Sequence, residues 1–475
     1  MPRVAVLNVV GLTEGHLGPD LPRITAFANS GSLLRIDPVL PAVTCTAQST
    51  YLTGLSPGGH GAVANGWYDR RLAEVQFWKQ SNRLVDGRKV WDELRERVPG
   101  FTCANLFWWY NMYSTADYSV TPRPMYPADG RKFFDIYSWP YSLRPELKKV
   151  LGEFPFPGFW GPAAGRPSPA GGADCATRWI AASARQVEER YSPTLNLIYL
   201  PHLDYNLQRL GPRHPSISND LRQIDEIVGE LLDFFARRNV QVLLVSEYGI
   251  TEVSKPIHLN RVFREKGWLT IKEELGRELL DAGNSRAFAV ADHQVAHVYV
   301  NDPGIREEVR ATLAGLAGVA QVIDRTAQES AGLRHERAGD FVVVADSEAW
   351  FTYYYWLEDS KAPDFARCVD IHRKPGYDPV ELFLDPSLRA PKLRIAWRLL
   401  KKQLGFRMLM DVIPLDATLV KGSHGARPRD LKDFPILILP QQQAEGTECI
   451  PATSVYGHIR DQVIGITRDT PAFPR

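Results

Sequence analysis

Short apolar runs bounded by turn-forming residues alternate along the chain with longer segments of helical period. The runs RVAVLNVVG (3–11), FTCANLF (101–107), TLNLIYL (194–200) and VQVLLVS (240–246) are rich in β-forming residues and predict strands. Stretches 173–190 and 216–238 predict the helices that would connect them. The alternation predicts an α/β fold around a parallel sheet. Ligands gather at the carboxyl ends of such strands, so chemistry is expected at Asn8 to Gly11, Pro201 to Asp204 and Ser246 to Gly249.

Three regions break the alternation. Residues 101–160 hold 17 of the chain's 50 aromatic side chains, interleaved with Pro and Gly and without helical period. They predict a loop-rich cap that either lines a pocket or forms a satellite hydrophobic cluster, ending in the Pro/Gly/Ala connector 161–173. Residues 295–324 read strand, helix, strand, followed by a further strand at DFVVVAD (340–346), a compact α+β unit. The expected division is therefore core α/β over 1–100, aromatic cap over 101–173, core again over 174–294, small α+β insertion over 295–365, and core completion over 366–475. Residues 392–410 place Leu393, Trp397, Leu400 and Leu404 at helical spacing among six basic residues and no acidic one. This helix either packs on the core or touches an anionic membrane surface or a lipid phosphate.

Composition narrows the class. A chain of 475 residues with 44% apolar and 23% charged residues is long enough for a large buried core. Its 56 basic and 55 acidic side chains balance to +1, so no global field recruits a nucleic acid polymer or a membrane, and an anion must be recognised locally. Five scattered cysteines without a Cys-x-x-Cys pair fit free thiols in a reducing compartment. The amino-terminal run has no signal-peptide pattern, and no window of 18 apolar residues occurs; the expected location is cytoplasmic.

The candidate chemistry starts at Pro41–Asn65, PAVTCTAQSTYLTGLSPGGHGAVAN. Pro41 stops a strand, Thr44 stands at an N-cap position, and Gly54 closes a helix-length run. The hydroxyl would then meet the unpaired N–H groups and positive dipole end of the helix, a site suited to phosphate; the plainer reading is a cap alone.

This segment resembles the nucleophile region of the nucleotide pyrophosphatase/phosphodiesterase branch of the alkaline phosphatase superfamily. In that family a Thr lies between a Pro and a Thr-Gly, followed by His-Gly and Asn; the matching residues are Thr44, Thr53-Gly54, His60-Gly61 and Asn65. The resemblance implies a three-layer α/β/α sandwich with a mostly parallel central sheet. It also implies hydrolysis of phosphodiester or pyrophosphate bonds through a phospho-threonine intermediate on Thr44, with Asn65 holding a phosphate oxygen. YLPHLDYNLQRLGP (199–212) is similar to a family metal segment, placing Asp204 as a ligand and Gln208, a candidate ligand through its amide oxygen, where the family has His. SEYG (246–249) resembles the family's Ser-Asp-His-Gly, with Glu247, a candidate carboxylate ligand, in place of Asp and Tyr248 in place of His. Val10 replaces the Asp that precedes the Gly at the end of the first strand, leaving Asn8 as the nearby polar side chain and a candidate oxygen ligand. GSHG (422–425) places His424 in a ligand position. Outside these motifs, Asp370 and His372 at i, i+2 are further ligand candidates, and Arg373 and Lys374 are phosphate-binding candidates. Asp292 and His293 could contribute as well, whereas His297 reads as a core residue. The implied cofactor is one or two divalent ions, Zn, Mn or Mg, and the implied partner is a small phosphorylated substrate. The rivals are a phosphonate hydrolase or phosphomutase on the same scaffold, and a phospho-ligand binder that has lost its metals.

Overall fold

The protein is described by a computed structural model covering residues 2–166, 175–441 and 449–465. Within it, the central sheet contains β1 (Arg3–Val9), β2 (Ser32–Asp37), β3 (Cys103–Leu106), β4 (Tyr118–Pro122), β5 (Ile136–Trp139), β6 (Leu195–Leu200), β7 (Val240–Val245), β8 (Ile436–Leu439) and β9 (Cys449–Pro451). Their order is β9-β2-β8-β7-β1-β6-β3-β4-β5. The five strands from β7 through β4 run parallel. β1 is buried along nearly its whole length, as a strand covered on both faces must be, so its sequence reads as a near-continuous apolar run.

Two sets of helices flank the sheet. One contains the helix Pro22–Ser30 with Ala176–Tyr191 and Ile217–Ala236, which pack on β6 and β7; the other contains Thr44–Thr53, Val90–Arg97 and Val455–Ile464, the last packing on β1. The structure is thus the expected mixed α/β fold on a mostly parallel sheet.

Two segments differ from the sequence expectation. β3, β4 and β5 come from the aromatic-rich region and extend the central sheet, so 101–160 is partly sheet and not wholly a loop-rich cap. Strands of four or five residues are too short to show alternation against that aromatic background. Its Phe107 and Phe154 pack with Trp179 of a core helix, ring centroids 5.2–6.1 Å apart from the Trp, which makes this part of the cluster core and not a wet wall. Residues 167–173 of the connector lie outside the described residues.

The small sheet is antiparallel and four-stranded, in the order Ala287–Asp292, Val295–Val300, Phe341–Ala345, Val319–Asp324. It therefore begins before residue 295, with a strand whose hairpin tip, His293 and Gln294, docks on the 424–425 loop: Gln294 N donates to the His424 carbonyl at 2.9 Å.

Candidate active site at the carboxyl ends of the central strands

Helix α1 (Thr44–Thr53) is buried along its entire length, yet it has few large apolar side chains. It can be buried because its polar groups are satisfied internally. Ser49 and Thr53 hydroxyls donate to the carbonyls four residues back, both at 2.7 Å, and Tyr51 donates to Ser246 O at 2.8 Å. Thr46 donates to Ala62 O at 2.9 Å, and Thr50 pairs with His60 Nε2 at 2.9 Å. Gly54 ends the helix in the left-handed region at φ 71°, as its sequence position suggested.

Thr44 is not the N-cap. Val43 holds that position, and Thr44 is the first residue inside the helix. Its hydroxyl is therefore released from capping and turned to Tyr248, 3.1 Å from the phenol oxygen. The phenol donates to Asp204 Oδ1 at 3.2 Å, so it accepts from Thr44, and the three groups form an oriented chain from the Thr44 proton to a carboxylate.

Asp204 sits in the first turn of helix α2 (His202–Leu210), which follows β6 directly. Its Oδ2 accepts from Gln208 Nε2 at 2.9 Å, while Tyr377 donates to Gln208 Oε1 at 2.9 Å. Gln208 thus turns its amide nitrogen, not its carbonyl, toward Asp204, and the oxygen expected to meet an ion is already occupied. His202 does not reach into this cluster; its Nε2 lies 3.5 Å from Asp220.

Glu247 follows β7. Its Oε1 accepts from Asn8 Nδ2 and from Gln48 Nε2, each at 2.5 Å, and Oε2 is buried with no partner. Asn8 therefore presents a donor to Glu247, while its own Oδ1 is buried without a partner. The reason is local: with Val10 apolar, the buried carboxylate needs hydrogens, and amides one turn along α1 and at the end of β1 supply them.

Asn65 ties the nucleophile helix to the small sheet. Its Oδ1 accepts from Cys45 N at 3.0 Å, its Nδ2 donates to Asp292 Oδ1 at 3.1 Å, and its own N–H reaches Asp292 Oδ2 at 2.7 Å. Asp292 also holds His293 Nδ1 at 2.7 Å. His424 Nδ1 donates to Ala42 O at 2.7 Å, and its ring stacks on Tyr248 at a centroid distance of 3.5 Å and meets the tilted ring of His293 at 3.7 Å. Both imidazoles consequently have Nδ1 fixed by an oxygen acceptor and a buried Nε2 without a partner. His424 Nε2 is 3.9 Å from Asp204 Oδ1.

The electrostatics are one-sided. Burial pushes Asp204 up to about 7, against the hydrogen bonds from Gln208 and Tyr248, and Glu247 up to about 8, against those from Gln48 and Asn8. Burial likewise raises Asp292 to about 6 and lowers both His293 and His424 well below the usual imidazole range. No Lys or Arg is among the hydrogen-bond partners described for these residues, so three buried carboxyl groups and two neutral imidazoles converge without a side-chain cation.

Of the 370–379 motif Tyr377 joins them, whereas Asp370, His372, Arg373 and Lys374 do not. Residues 371–376 are turns and bends, so Asp370 and His372 do not alternate as on a strand. Asp370 N donates to Glu381 Oε1 at 3.0 Å, and His372 Nδ1 is 3.5 Å from Phe77 O. Arg373 pairs with Asp364 at 3.3 Å, and Lys374 is buried between Asp378 and Glu381, 2.7 Å from each. These four residues build a neighbouring wall and are not placed against Thr44. His297 is a satisfied core residue, bonded to Val63 O at 3.1 Å and to Gly339 N at 3.0 Å. Sequence reasoning missed Gln48 and Tyr377. The first could have been found four residues after Thr44 on the same helix face; the second arrives only through tertiary packing.

A hydroxyl at a helix start, carboxylates and imidazoles at parallel strand ends, and an Asn clamp define a phosphoryl-transfer type of site on an α/β scaffold. The chain belongs to the type I phosphodiesterase / nucleotide pyrophosphatase family, whose sequence model matches residues 4–378. A curated relative, an uncharacterised pyrophosphatase/phosphodiesterase of Schizosaccharomyces pombe, is 22% identical over 226 residues, which is 46% of this chain and 38% of the relative. Among solved structures, murine ectonucleotide pyrophosphatase/phosphodiesterase 5, an inactive variant in complex with AMP, superposes with a TM-score of 0.58 at 16% identity, covering 98% of this chain and 96% of that one. Phosphonoacetate hydrolase from Sinorhizobium meliloti in complex with phosphonoformate gives 0.60 at 13% identity, covering 97% and 96%. At these identities the two structures are like this chain in fold.

Proposed function

We propose that the protein hydrolyses phosphoric diester or pyrophosphate bonds of a small phosphorylated substrate, with Thr44 as nucleophile. The observation that carries this reading is the charge deficit around Thr44. Three buried carboxyl groups with no cation among their described partners offer a phosphate no counter-charge, so a substrate phosphate is accommodated when a divalent ion accompanies it.

The donors fit one such ion and not a second. Asp204 and His424 face each other with His424 Nε2 unpartnered, and His293 adds another unpartnered nitrogen beside it. Each Nδ1 is anchored in the manner of a metal-bound imidazole. Among the described residues no three His, Cys, Asp or Glu side chains already surround one point, so the third protein ligand comes from a small rotation of His293 or from substrate. At the second family position Val10 offers nothing, Tyr248 offers a phenol, and Glu247 is held by two amide donors. When bound, the ion neutralises phosphate charge and sharpens the acidity of the Thr44 hydroxyl. The chain's own groups do the rest. Tyr248, bonded to both the Thr44 hydroxyl and Asp204 Oδ1, orients the Thr44 hydroxyl for attack. Asn65 Nδ2 spends one hydrogen on Asp292 and keeps a second for a phosphate oxygen. The five free thiols fit a reducing compartment, and the cytoplasm is the proposed location.

The test couples metal content with turnover. Wild type, Thr44→Ala and His424→Ala are assayed on bis-nitrophenyl phosphate with Mn²⁺, Mg²⁺ and Zn²⁺, and bound metal is measured by mass spectrometry. The expected result is near-stoichiometric single metal in wild type and Thr44→Ala, loss of metal in His424→Ala, and turnover in wild type alone. Turnover retained by Thr44→Ala refutes the nucleophile; AMP binding without metal or turnover in wild type replaces the hydrolase by a binder.

A further inference from the structure

The basic helix α3 (Pro391–Gln403) lies on the surface with its amphipathicity inverted. None of its residues is buried, and the apolar stripe faces outward: Leu393 is 73% exposed, Trp397 56%, Leu400 43% and Leu404 65%. Phe406 and Leu409 continue the exposed apolar surface past the helix end. The charged side is what holds the helix down. Arg394 and Arg398, one turn apart, both bind Asp411, at 2.6 and 2.9 Å, while Lys402 Nζ donates to Lys132 O at 3.1 Å. Arg407 donates to Asp129 O at 3.1 Å, which fixes the same face to the 125–134 hairpin. That hairpin exposes Met125, Tyr126, Phe133 and Phe134 beside Arg131 and Lys132. Of the two readings left open by the sequence, core packing does not hold for Leu393, Trp397, Leu400 and Leu404; the inward contacts are made by Ile395 together with Arg394 and Arg398, which pair with Asp411.

We propose that α3 and the 125–134 hairpin form a docking surface for an anionic lipid bilayer. Seven basic residues, Arg389, Lys392, Arg394, Arg398, Lys401, Lys402 and Arg407, lie between 386 and 410 with no acidic residue among them, in a chain whose overall charge is +1. The positive charge is therefore concentrated where apolar side chains are exposed, which is the composition of a helix lying in the headgroup region. Trp397, with Lys401 Nζ 5.3 Å from its ring, has the amphipathic character favoured at that depth. A second copy of the chain fits this face poorly, since Asp411 is already engaged by Arg394 and Arg398 and the lysines Lys392 and Lys401 would be brought against like charges. No helix among the described residues is long and apolar enough to cross a membrane, so the contact is peripheral.

The full-length protein is co-sedimented with vesicles of phosphatidylcholine alone and of phosphatidylcholine mixed with phosphatidylserine. Binding is expected for the mixed vesicles, weakening with salt and at least about tenfold stronger than for the neutral ones. Leu393→Ser combined with Trp397→Ser is expected to lower it by about tenfold or more, and Lys392→Glu with Lys401→Glu to remove the preference for phosphatidylserine. Unchanged circular dichroism shows that the variants fold. Absence of binding to the mixed vesicles, or equal binding by the Leu393/Trp397 variant, overturns the proposal. So does a concentration-dependent dimer abolished by that variant without any vesicle binding, which would assign the face to self-association.

Discussion

Lys374→Met separates two roles for a residue that the sequence offers as a phosphate ligand. In the structure Nζ lies 2.7 Å from both Asp378 Oδ2 and Glu381 Oε1, and the three side chains are essentially inaccessible. Glu381 also accepts from Trp160 Nε1 at 2.5 Å and from Asp370 N at 3.0 Å. Met fills nearly the same volume but leaves two carboxylates facing each other in a dry pocket. Removing one partner of a buried ion pair typically costs about 3–5 kcal/mol. At about 2.1 cal/mol/K per residue the unfolding entropy of this chain is roughly 1 kcal/mol/K, so Tm should fall by about 3–5 °C.

The loss should depend on pH. Burial already holds Glu381 above its unfolded value, and Lys374 is the principal group pulling it back; without that cation its folded pKa rises further. The folded variant then binds a proton that the unfolded chain has released, so stability falls as pH rises above the unfolded carboxyl pKa. Scanning calorimetry at pH 5 and pH 8 should show the larger Tm deficit at pH 8, and adding Glu381→Gln should return much of it. An unchanged Tm at both pH values, with KM for bis-nitrophenyl phosphate raised about tenfold (roughly 1.4 kcal/mol of binding), would refute the ion cluster and put Lys374 against substrate.

Three further outcomes follow from particular contacts. Tyr248→Phe breaks the hydroxyl chain between Thr44 and Asp204 and should lower kcat by about 10²-fold or more while leaving KM and AMP affinity near wild type; equal losses in both would mean a packing role. His60, fully buried, is lowered to about 3 by burial, with the nearby His335 and Lys89 adding to it; Nδ1 accepts from Ala62 N at 3.1 Å. The unfolded chain gains a proton that the native one refuses between about pH 6.5 and 3, so stability drops on acidification through that window by up to ~5 kcal/mol, and His60→Gln should flatten the acid limb of the Tm–pH curve. Gly249→Ala would set a Cβ 1.8 Å from Asp433 O, displacing the turn that carries Glu247 and Tyr248; a Tm lower by at least 1–3 °C, corresponding to ~1–3 kcal/mol, is expected, and an unchanged Tm would show that the turn is free to move.

Much of the fold was legible because buried parallel strands write themselves as apolar runs: β1, β6 and β7 fall inside the segments 3–11, 194–200 and 240–246. Helix α1 was legible from Pro41 and Gly54, although not from periodicity, since every one of its positions is buried. The one-residue shift of Thr44 from cap to first turn matters chemically, and sequence did not resolve it: Ser, Thr and Asn caps are common enough that Val43 at that position is the weaker guess. The 370–379 motif misled for a geometric reason, because the i, i+2 rule holds on strands and this segment is a turn. The Asp292–His293 pair reaches the site through a hairpin tip 227 positions away from Asn65 in sequence, with His293 at φ 60°; local pattern carries no trace of that approach.

The departures from the family motifs make physical sense only as a set. An apolar Val10 alone would leave Glu247 buried beside a vacant ligand position, and a Tyr at 248 alone would leave a phenol where an ion needs a lone pair. Asn8 and Gln48 place two amide donors on Glu247 Oε1 and leave Oε2 without a partner, while a phenol links Thr44 to Asp204. These hydrogen bonds lower the cost of burying the Glu247 carboxyl without a cation among its described partners. On the opposite side of Thr44 the reverse has happened. Gln208 offers no nitrogen to an ion, whereas His293 stands beside His424 with its Nε2 free, and we propose that His293 supplies the missing donor from the small sheet. On that proposal His293→Ala should lose bound metal as His424→Ala does while Glu247→Gln keeps it. Retention of full metal occupancy by His293→Ala would break the argument and return the imidazole to a packing role.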